Sequence, residues 1–300
     1  MSTTKAQDWL ISNNRFESEV NKNLNLSPKK AKTISITGGK GGVGKSSVSL
    51  KMSKTLADDG YKVLLVDCDY NLSNTSIKLG LPLNNDFQQL VKKEKSLDDC
   101  LHKDKNFHLL SGCNGNLELF REDFKLEQFI IDILLNQESN YDFIFLDNPA
   151  GARKEYLTLN AYSDYRFFVV NPDKSSLTDA YSLMKILKND YGVSENHLII
   201  NKATSSKQVN KIVKVLSETV ENFLNTRLQI LGSIEKDVEN AENFDSYMLN
   251  NSGSKIHRDF LEIINNFVEK NLGLPSVDLL DASSLVFGAK TSEHEVQLKT

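Results

Sequence analysis

The sequence contains few cysteines and no cysteine pair. Among its 300 residues only Cys68, Cys100 and Cys113 are cysteines, and no C-x-x-C motif occurs. This argues against a disulfide framework and against an iron-sulfur or zinc site built on thiolates. The five histidines show no metal-ligand spacing either. We therefore expect a protein of the reducing cytoplasm.

Long apolar runs and an excess of positive charge are also missing. No stretch of about 18 apolar residues occurs, and residues 1–16 lack the basic and apolar regions of a signal peptide. The net charge of -4 argues against a surface built for DNA, although a local basic patch stays open. With 39% hydrophobic and 25% charged residues, the chain has the composition of a globular protein with one sizeable core.

Composition divides the chain into three segments. Residues 1–32 are polar and rich in Asn and Lys, and form an N-terminal extension that is either a disordered tail or a peptide that docks on a partner. Residues 33–272 form the predicted domain, and residues 273–300 a C-terminal tail. Asp278 and Asp281 in the tail argue against anionic lipid. We expect a cytoplasmic location, and peripheral attachment to the inner face of the cell membrane is the less supported alternative.

Strands and helices alternate along the predicted domain. Near-continuous apolar runs predict strands that are buried on both faces, at 33–37, 63–66, 107–110, 143–146, 167–170, 198–200 and 228–231. One helical pattern starts near Val48, and another starts at Ser175, where Ser176 and Asp179 have the spacing of a capping box. This repetition predicts an α/β fold with a doubly wound, mostly parallel sheet flanked by helices. Ligands then bind at the carboxyl ends of the strands.

A glycine-rich loop follows the first predicted strand. Residues 38–47 read GGKGGVGKSS and contain the pattern G-x-x-x-x-G-K-[ST] between a strand and a helix. The glycines let backbone N–H groups converge on phosphate oxygens, and the helix N-terminus adds its dipole. Lys45 is expected to reach the β- and γ-phosphates, and the Ser46 hydroxyl to bind Mg²⁺. The predicted nucleotide-binding residues of the loop are Gly39, Lys40, Gly41, Gly42, Val43, Gly44, Lys45, Ser46 and Ser47.

A second lysine, Lys40, lies inside this loop. Packing does not explain it, because a lysine is a strongly hydrated cation and the loop backbone already supplies donors. The run G-K-G-G-V-G-K-S resembles the deviant Walker A motif of the MinD/ParA (SIMIBI) ATPases. The resemblance implies a MinD-like P-loop NTPase fold and an ATP-dependent homodimer, in which Lys40 reaches the nucleotide of the second subunit. A cation supplied in this way is worth about 10³ to 10⁵ in hydrolysis rate.

Two further segments resemble the switch regions of the same family. Residues 67–74, DCDYNLSN, resemble switch I. By this resemblance Asp69 orients the attacking water, Asp67 holds a water bound to Mg²⁺, and Asn74 contacts phosphate or the partner. Lys40, Lys45 and Asp69 are thus the predicted catalytic residues. Carboxylates suit these roles because they accept hydrogen bonds from water beside a divalent cation.

The fourth apolar run ends in Asp147 and is followed by N-P-A-G. Four apolar residues and an aspartate form a Walker B motif, in which Asp147 contacts the waters of Mg²⁺. Ser46, Asp67 and Asp147 are therefore the predicted metal-site residues. The D-x-P-A-G run resembles switch II of MinD, but Asn148 stands where MinD usually has serine.

The base of the nucleotide is predicted from Asn201 and Lys202 at the end of a strand. A G-type protein would have N-K-x-D here, but Thr204 occupies the fourth position. Guanine requires a carboxylate at that place, whereas the amide of Asn201 can both accept from and donate to adenine. ATP, hydrolysed to ADP, is therefore favoured. The alternative is that Asn201 is an ordinary residue at a strand end.

One segment narrows the choice within the family. Residues 171–185, NPDKSSLTDAYSLMK, resemble a segment of the FlhG group, also called FleN or YlxH. The resemblance implies a spatial regulator of flagellar number or placement, with an FlhF-like GTPase or a flagellar regulator as partner. A MinD-type division-site regulator and a ParA-type ATPase for DNA or cargo partition are the alternatives. A metal-cluster carrier would need paired cysteines, and the intact loop and aspartates argue against a pseudo-ATPase.

Overall fold

A computed structural model describes residues 30–69, 75–112, 125–236, 244–274 and 276–277. The predictions for the extension before residue 30, for Asn74 and for the tail after residue 277 lie outside these residues. Among the described residues, no helix combines the length and the apolar character needed to cross a bilayer.

The described residues form an eight-stranded sheet with helices on both faces. The strands are β1 Lys32–Thr37, β2 Val63–Asp67, β3 Leu101–Asp104, β4 Phe107–Leu110, β5 Phe143–Asp147, β6 Tyr165–Val170, β7 Glu195–Ala203 and β8 Arg227–Glu235. The first five helices are α1 Lys45–Asp58, α2 Thr75–Lys78, α3 Asp86–Val91, α4 Leu97–Cys100 and α5 Leu126–Gln137. They are followed by α6 Lys154–Tyr162, α7 Lys174–Tyr191, α8 Ser206–Leu224, α9 Phe244–Asn250 and α10 Lys255–Phe267, which a π-helical turn, Val268–Leu272, continues.

The strand order is β3-β4-β2-β5-β1-β6-β7-β8. Every neighbouring pair is parallel except β3 and β4, which form an antiparallel hairpin at one edge. The predicted doubly wound, mostly parallel sheet is therefore confirmed. The sequence pattern missed β3, because three of its four residues are exposed and it carries no apolar run.

The apolar runs are continuous because both faces of the sheet are covered. Successive residues of one strand, such as Phe143 and Ile144, belong to different core clusters. One face packs against α1, α9 and α10. The other face packs against α5 on one side and against α7 and α8 on the other. A strand in this position has no solvent-facing side, which removes the alternation of polar and apolar residues.

The N-terminus of α7 differs from the prediction. The helix begins at Lys174, and the carboxylate of the preceding residue, Asp173, accepts a hydrogen bond of 2.9 Å from the backbone N–H of Ser176. The capping box predicted at Ser176 and Asp179 is therefore wrong, since both residues lie inside the helix. Asp173 is in an extended conformation, which lets its short side chain reach the third residue of the helix.

Candidate nucleotide-binding site

The ends of three central strands bring the predicted motifs together. In the parallel register, Asp147 of β5 pairs with Ile36 of β1 on one side and with Asp67 of β2 on the other. Strand β1 ends at Thr37, the residue after Ile36, and the glycine-rich loop follows directly. A cavity of about 620 Å³ opens at this edge of the sheet. This volume lies within the range of small-molecule sites.

The loop owes its shape to two glycines that other residues cannot replace. Gly44 has a φ of 100°, in the left-handed region, and directly precedes α1. Gly39 packs directly against α7, where a β-carbon added to it would lie 2.5 Å from the β-carbon of Asp179. Both positions require glycine, one for backbone conformation and the other for close packing.

Lys45, the first residue of α1, points into the cavity and is nearly buried. Burial lowers the pKa of its ammonium group, while Asp147 and Asp69 act in the opposite direction. Its Nζ donates a hydrogen bond of 3.4 Å to the carbonyl oxygen of Lys40. The ammonium is thus held under the loop, where an anionic phosphate would stabilise its charge. The cavity residues fit a nucleotide phosphate.

Asp67 and Asp147 form a buried pair of carboxylates below the loop. The two oxygens of Asp67 accept hydrogen bonds from the backbone N–H of Asp69 at 2.9 Å and from the Thr75 hydroxyl at 2.5 Å. Burial, together with the charge of the neighbouring Asp67, raises the pKa of Asp147 well above its ordinary value. Oδ1 of Asp147 has no hydrogen-bond partner among the described residues. A buried carboxylate oxygen of this kind can accept a hydrogen bond from a water bound to Mg²⁺, because Mg²⁺ keeps several of its waters in protein sites.

Lys40 is held by the start of α7. Its Nζ lies 3.2 Å from Oδ1 of Asp173 and 2.6 Å from the hydroxyl of Ser175. Both partners belong to the segment that resembles the FlhG group. Its side chain remains 42% exposed, so the ammonium is accessible at the surface of the loop.

Asn201 and Lys202 contact the loop backbone. The Asn201 amide donates to the carbonyl oxygen of Val43 at 2.7 Å and accepts from the backbone N–H of Lys202 at 2.9 Å. Nζ of Lys202 donates to the carbonyl oxygen of Gly42 at 3.0 Å. These bonds position the loop, and recognition of adenine by Asn201 stays a prediction.

Asn148, the residue that departs from the MinD pattern, is anchored in the core. Its Nδ2 donates to the Ser35 hydroxyl at 2.5 Å, and that hydroxyl donates to Oδ1 of Asn160 in α6 at 2.7 Å. The second switch segment is thus connected through β1 to α6. The spacing of the motif did not predict this connection.

The structure also adds residues that the motifs did not contain. The remaining cavity wall is formed by Lys78, Ile234, Glu235, Lys236, Asp245, Met248 and Phe260. They come from α2, the end of β8, α9 and α10, which tertiary folding brings to the loop. Residues 234–236 could have been predicted only from their place at the carboxyl end of a parallel strand, where ligands of such sheets bind. The glycine-rich loop with its two lysines, the paired aspartates and the parallel sheet define a P-loop NTPase.

Comparison with known proteins agrees with this class. A family model described as an AAA domain matches residues 31–200. The antiactivator FleN of Pseudomonas aeruginosa is 28% identical over 205 residues, which cover 68% of this chain and 73% of FleN. The flagellum site-determining protein YlxH of Helicobacter pylori is 31% identical, covering 68% of this chain and 69% of YlxH.

Solved structures show the same fold. The septum site-determining protein MinD of Pyrococcus horikoshii, complexed with Mg-ADP, superimposes with a TM-score of 0.66 at 23% sequence identity. The superposition covers 81% of this chain and 97% of that MinD. The chain belongs to the AAA-domain family of MinD/ParA-type P-loop ATPases.

Proposed function

We propose that this chain is an FlhG-like ATPase, a switch that hydrolyses ATP to ADP and phosphate and regulates the number or placement of flagella. The observation that carries the proposal is the lysine-doubled loop above the buried pair Asp67 and Asp147. The similarity to FleN and YlxH supports the flagellar role. The MinD relatives and the MinD fold support the wider class of spatial regulators.

We assign a role to the predicted residues that the structure describes around the cavity. Backbone groups of the loop, residues 39–47, bind the phosphates. Lys45, which lines the cavity, neutralises the phosphate charge. Ser46 would ligate Mg²⁺, and Asp67 and Asp147 would accept hydrogen bonds from its water ligands; the ion would supply charge stabilisation to the phosphates. Asp69 lines the cavity near Lys45 and holds the attacking water.

Lys40 gives the proposal its switch character. In a dimer that buries the loop surfaces, its ammonium is available to the nucleotide of the second subunit, because its side chain is 42% exposed. Hydrolysis then depends on dimer formation, and ATP but not ADP supports the dimer. We further propose an FlhF-like GTPase or a flagellar regulator as the partner of this dimer.

We also propose the division into an extension at 1–32, an ATPase domain at 33–272 and a tail at 273–300. The domain supplies the nucleotide chemistry, and the two ends are assigned to partner or membrane contacts. Because ATP is its substrate, the chain is assigned to the cytoplasm, with peripheral membrane contact through the tail as a further proposal.

Two experiments test the function. In the first, the purified chain is mixed with Mg²⁺ and ATP, and phosphate release and molar mass are measured by a coupled assay and light scattering. ADP is the control. We expect a dimer with ATP but not with ADP, and a rate of phosphate release per subunit that rises with protein concentration. A constant monomer without phosphate release would contradict the proposed ATPase.

In the second experiment, the gene is deleted in its parent bacterium and flagella are counted by electron microscopy. An altered number or position, restored by the wild-type gene but not by Lys45→Ala, is expected. Normal flagella with misplaced division septa would favour the MinD-type alternative instead, and unstable plasmids or cargo would favour the ParA-type alternative.

A further inference from the structure

A short helix, α9, lies along the first turns of α1. Near its start, Oδ1 of Asp245 accepts a hydrogen bond of 3.1 Å from the Ser47 hydroxyl. Near its end, the carbonyl oxygen of Leu249 accepts one of 3.5 Å from Nζ of Lys51. Ser47 and Lys51 are one helical turn apart and therefore share a face of α1. Helix α9 is thus attached to α1 at both ends, with Met248 buried between these contacts.

Asp245 also pairs with a cation in the wall of the nucleotide cavity. Its Oδ2 lies 2.7 Å from Nζ of Lys78 in α2, and both residues line the cavity. The side chains of Lys78 and Asp245 are 22% and 31% exposed. One carboxylate therefore connects the loop helix α1, the helix after switch I and α9.

This arrangement places a carboxylate against a hydroxyl of the predicted phosphate-binding loop. Ser47 closes the phosphate-binding loop, yet its single hydroxyl proton is donated to Asp245. A hydroxyl donates one hydrogen bond, so the carboxylate and a phosphate oxygen exclude each other at this donor. Two anions a few ångströms apart also repel, more strongly in a partly buried cavity than in water.

We propose that Asp245 senses bound nucleotide by competing with its phosphate for the Ser47 hydroxyl. Binding of ADP or ATP breaks the hydrogen bond between Ser47 and Asp245 and weakens the attachment of α9 to α1. Lys78, which Asp245 neutralises, then faces the phosphate charge. The inference rests on the proposed function, because it requires the cavity to bind a nucleotide. Asp245 acts as a positioning residue that sets nucleotide affinity and the position of α9.

The first test compares ADP binding by wild type and Asp245→Asn in the full-length chain, measured by calorimetry with Mg²⁺. Asparagine keeps the size of the side chain and removes its charge, so ADP should bind about tenfold more tightly. Asp245→Glu restores the carboxylate and should bind ADP within about threefold of wild type. Asp98→Asn is the matched control, because it removes the same charge from an ion pair with Lys103 outside the cavity. Asp98→Asn should bind ADP as tightly as wild type.

The second test follows α9 itself by amide hydrogen exchange in wild type, with and without ADP. Residues 246–250 should exchange faster when ADP is bound, which a purely structural role of Asp245 would not produce. Unchanged or weaker ADP binding by Asp245→Asn, or slower exchange in α9 with ADP, would overturn the inference. If wild type binds no ADP, the proposed function fails as well. If wild type binds ADP and Asp245→Asn matches it, only the role of Asp245 fails.

Discussion

The ammonium of Lys40 lies 3.2 Å from the carboxylate of Asp173 in the same chain. The Ser175 hydroxyl, the backbone N–H of Ser176 and Lys40 itself hold the pKa of Asp173 at about 2, so it is ionised at neutral pH. The lysine proposed to act on a second subunit is therefore paired within its own. The dimer that we propose would require Lys40 to exchange Asp173 for a phosphate of the second subunit's nucleotide.

Asp173→Asn tests this exchange. The amide keeps the cap of α7, since asparagine is an equally good N-cap residue, but it loses the charge that attracts Lys40. An exposed ion pair is worth less than about 1 kcal/mol. Loss of the pair in each subunit should therefore lower the dissociation constant of the ATP-dependent dimer by about two- to fivefold. Analytical ultracentrifugation with ATP measures this. The variant that also carries Lys40→Ala should lose the gain, and a gain that persists in it would rule out this explanation.

Lys40→Ala tests the role across the dimer. The variant should bind ADP within about tenfold of wild type, because Lys45 and the loop backbone remain. It should lose ATP-dependent dimerisation and hydrolysis, measured by light scattering and phosphate release. Turnover equal to that of wild type would show that Lys40 has no part in the reaction.

Asp69→Ala should separate binding from hydrolysis. The side chain lines the cavity, and its removal leaves the loop and the pair Asp67 and Asp147 in place. We expect ATP to bind and the dimer to accumulate, while phosphate release falls by about 10²-fold or more. Size-exclusion chromatography with ATP provides the measurement. A variant that stays monomeric would argue for a structural role of Asp69.

Lys45→Ala should abolish nucleotide binding. Its ammonium is nearly buried, and truncation of one partner of a buried charge pair costs about 2 kcal/mol or more, which corresponds to at least about 30-fold in Kd. Fluorescent ADP gives the affinity. Thermal melting is the control for folding, and a folded variant with wild-type affinity would contradict the assignment.

His257 predicts how stability depends on pH. Burial and the nearby Lys51 lower the pKa of this histidine to about 4, whereas an unfolded histidine titrates near 6.5. Between these two values the unfolded chain binds a proton that the folded chain does not. Stability is therefore retained above about pH 6.5 and falls as the pH drops towards 4. His257→Gln removes the titrating group and with it this loss of stability. Between pH 7 and pH 5 the melting temperature of the variant should therefore fall by a few °C less than that of wild type. Equal losses in calorimetry would contradict the prediction.

The sequence predicted the parts of the site that come from contiguous residues or from the ends of buried strands. Gly39 to Ser47 are consecutive, and a strand, a loop and a helix produce the same geometry wherever this run occurs. Asp67 and Asp147 were predicted at strand ends, and the sheet places them side by side. The strands were recognised because burial on both faces leaves only apolar residues.

The missed parts depend on distant residues. The strand β3 is an exposed edge strand, and its pairing with β4, not its composition, makes it a strand. The cap at Asp173 was missed because Ser176 and Asp179 also have a capping spacing, and pattern alone does not choose between them. The contacts of Asp245 with Ser47 and Lys78 join residues that are 198 and 167 positions apart.

The amino-acid sequence by itself determined the α/β fold and the phosphate-binding chemistry, because both follow from local patterns of burial and from one run of glycines and lysines. Only the tertiary structure decided which charges face that loop. Asp173 against Lys40, and Asp245 against Ser47, come from helices whose order in sequence does not reveal their distance in space. Electrostatic interactions depend on distance and burial, and packing of the helices on the sheet sets both.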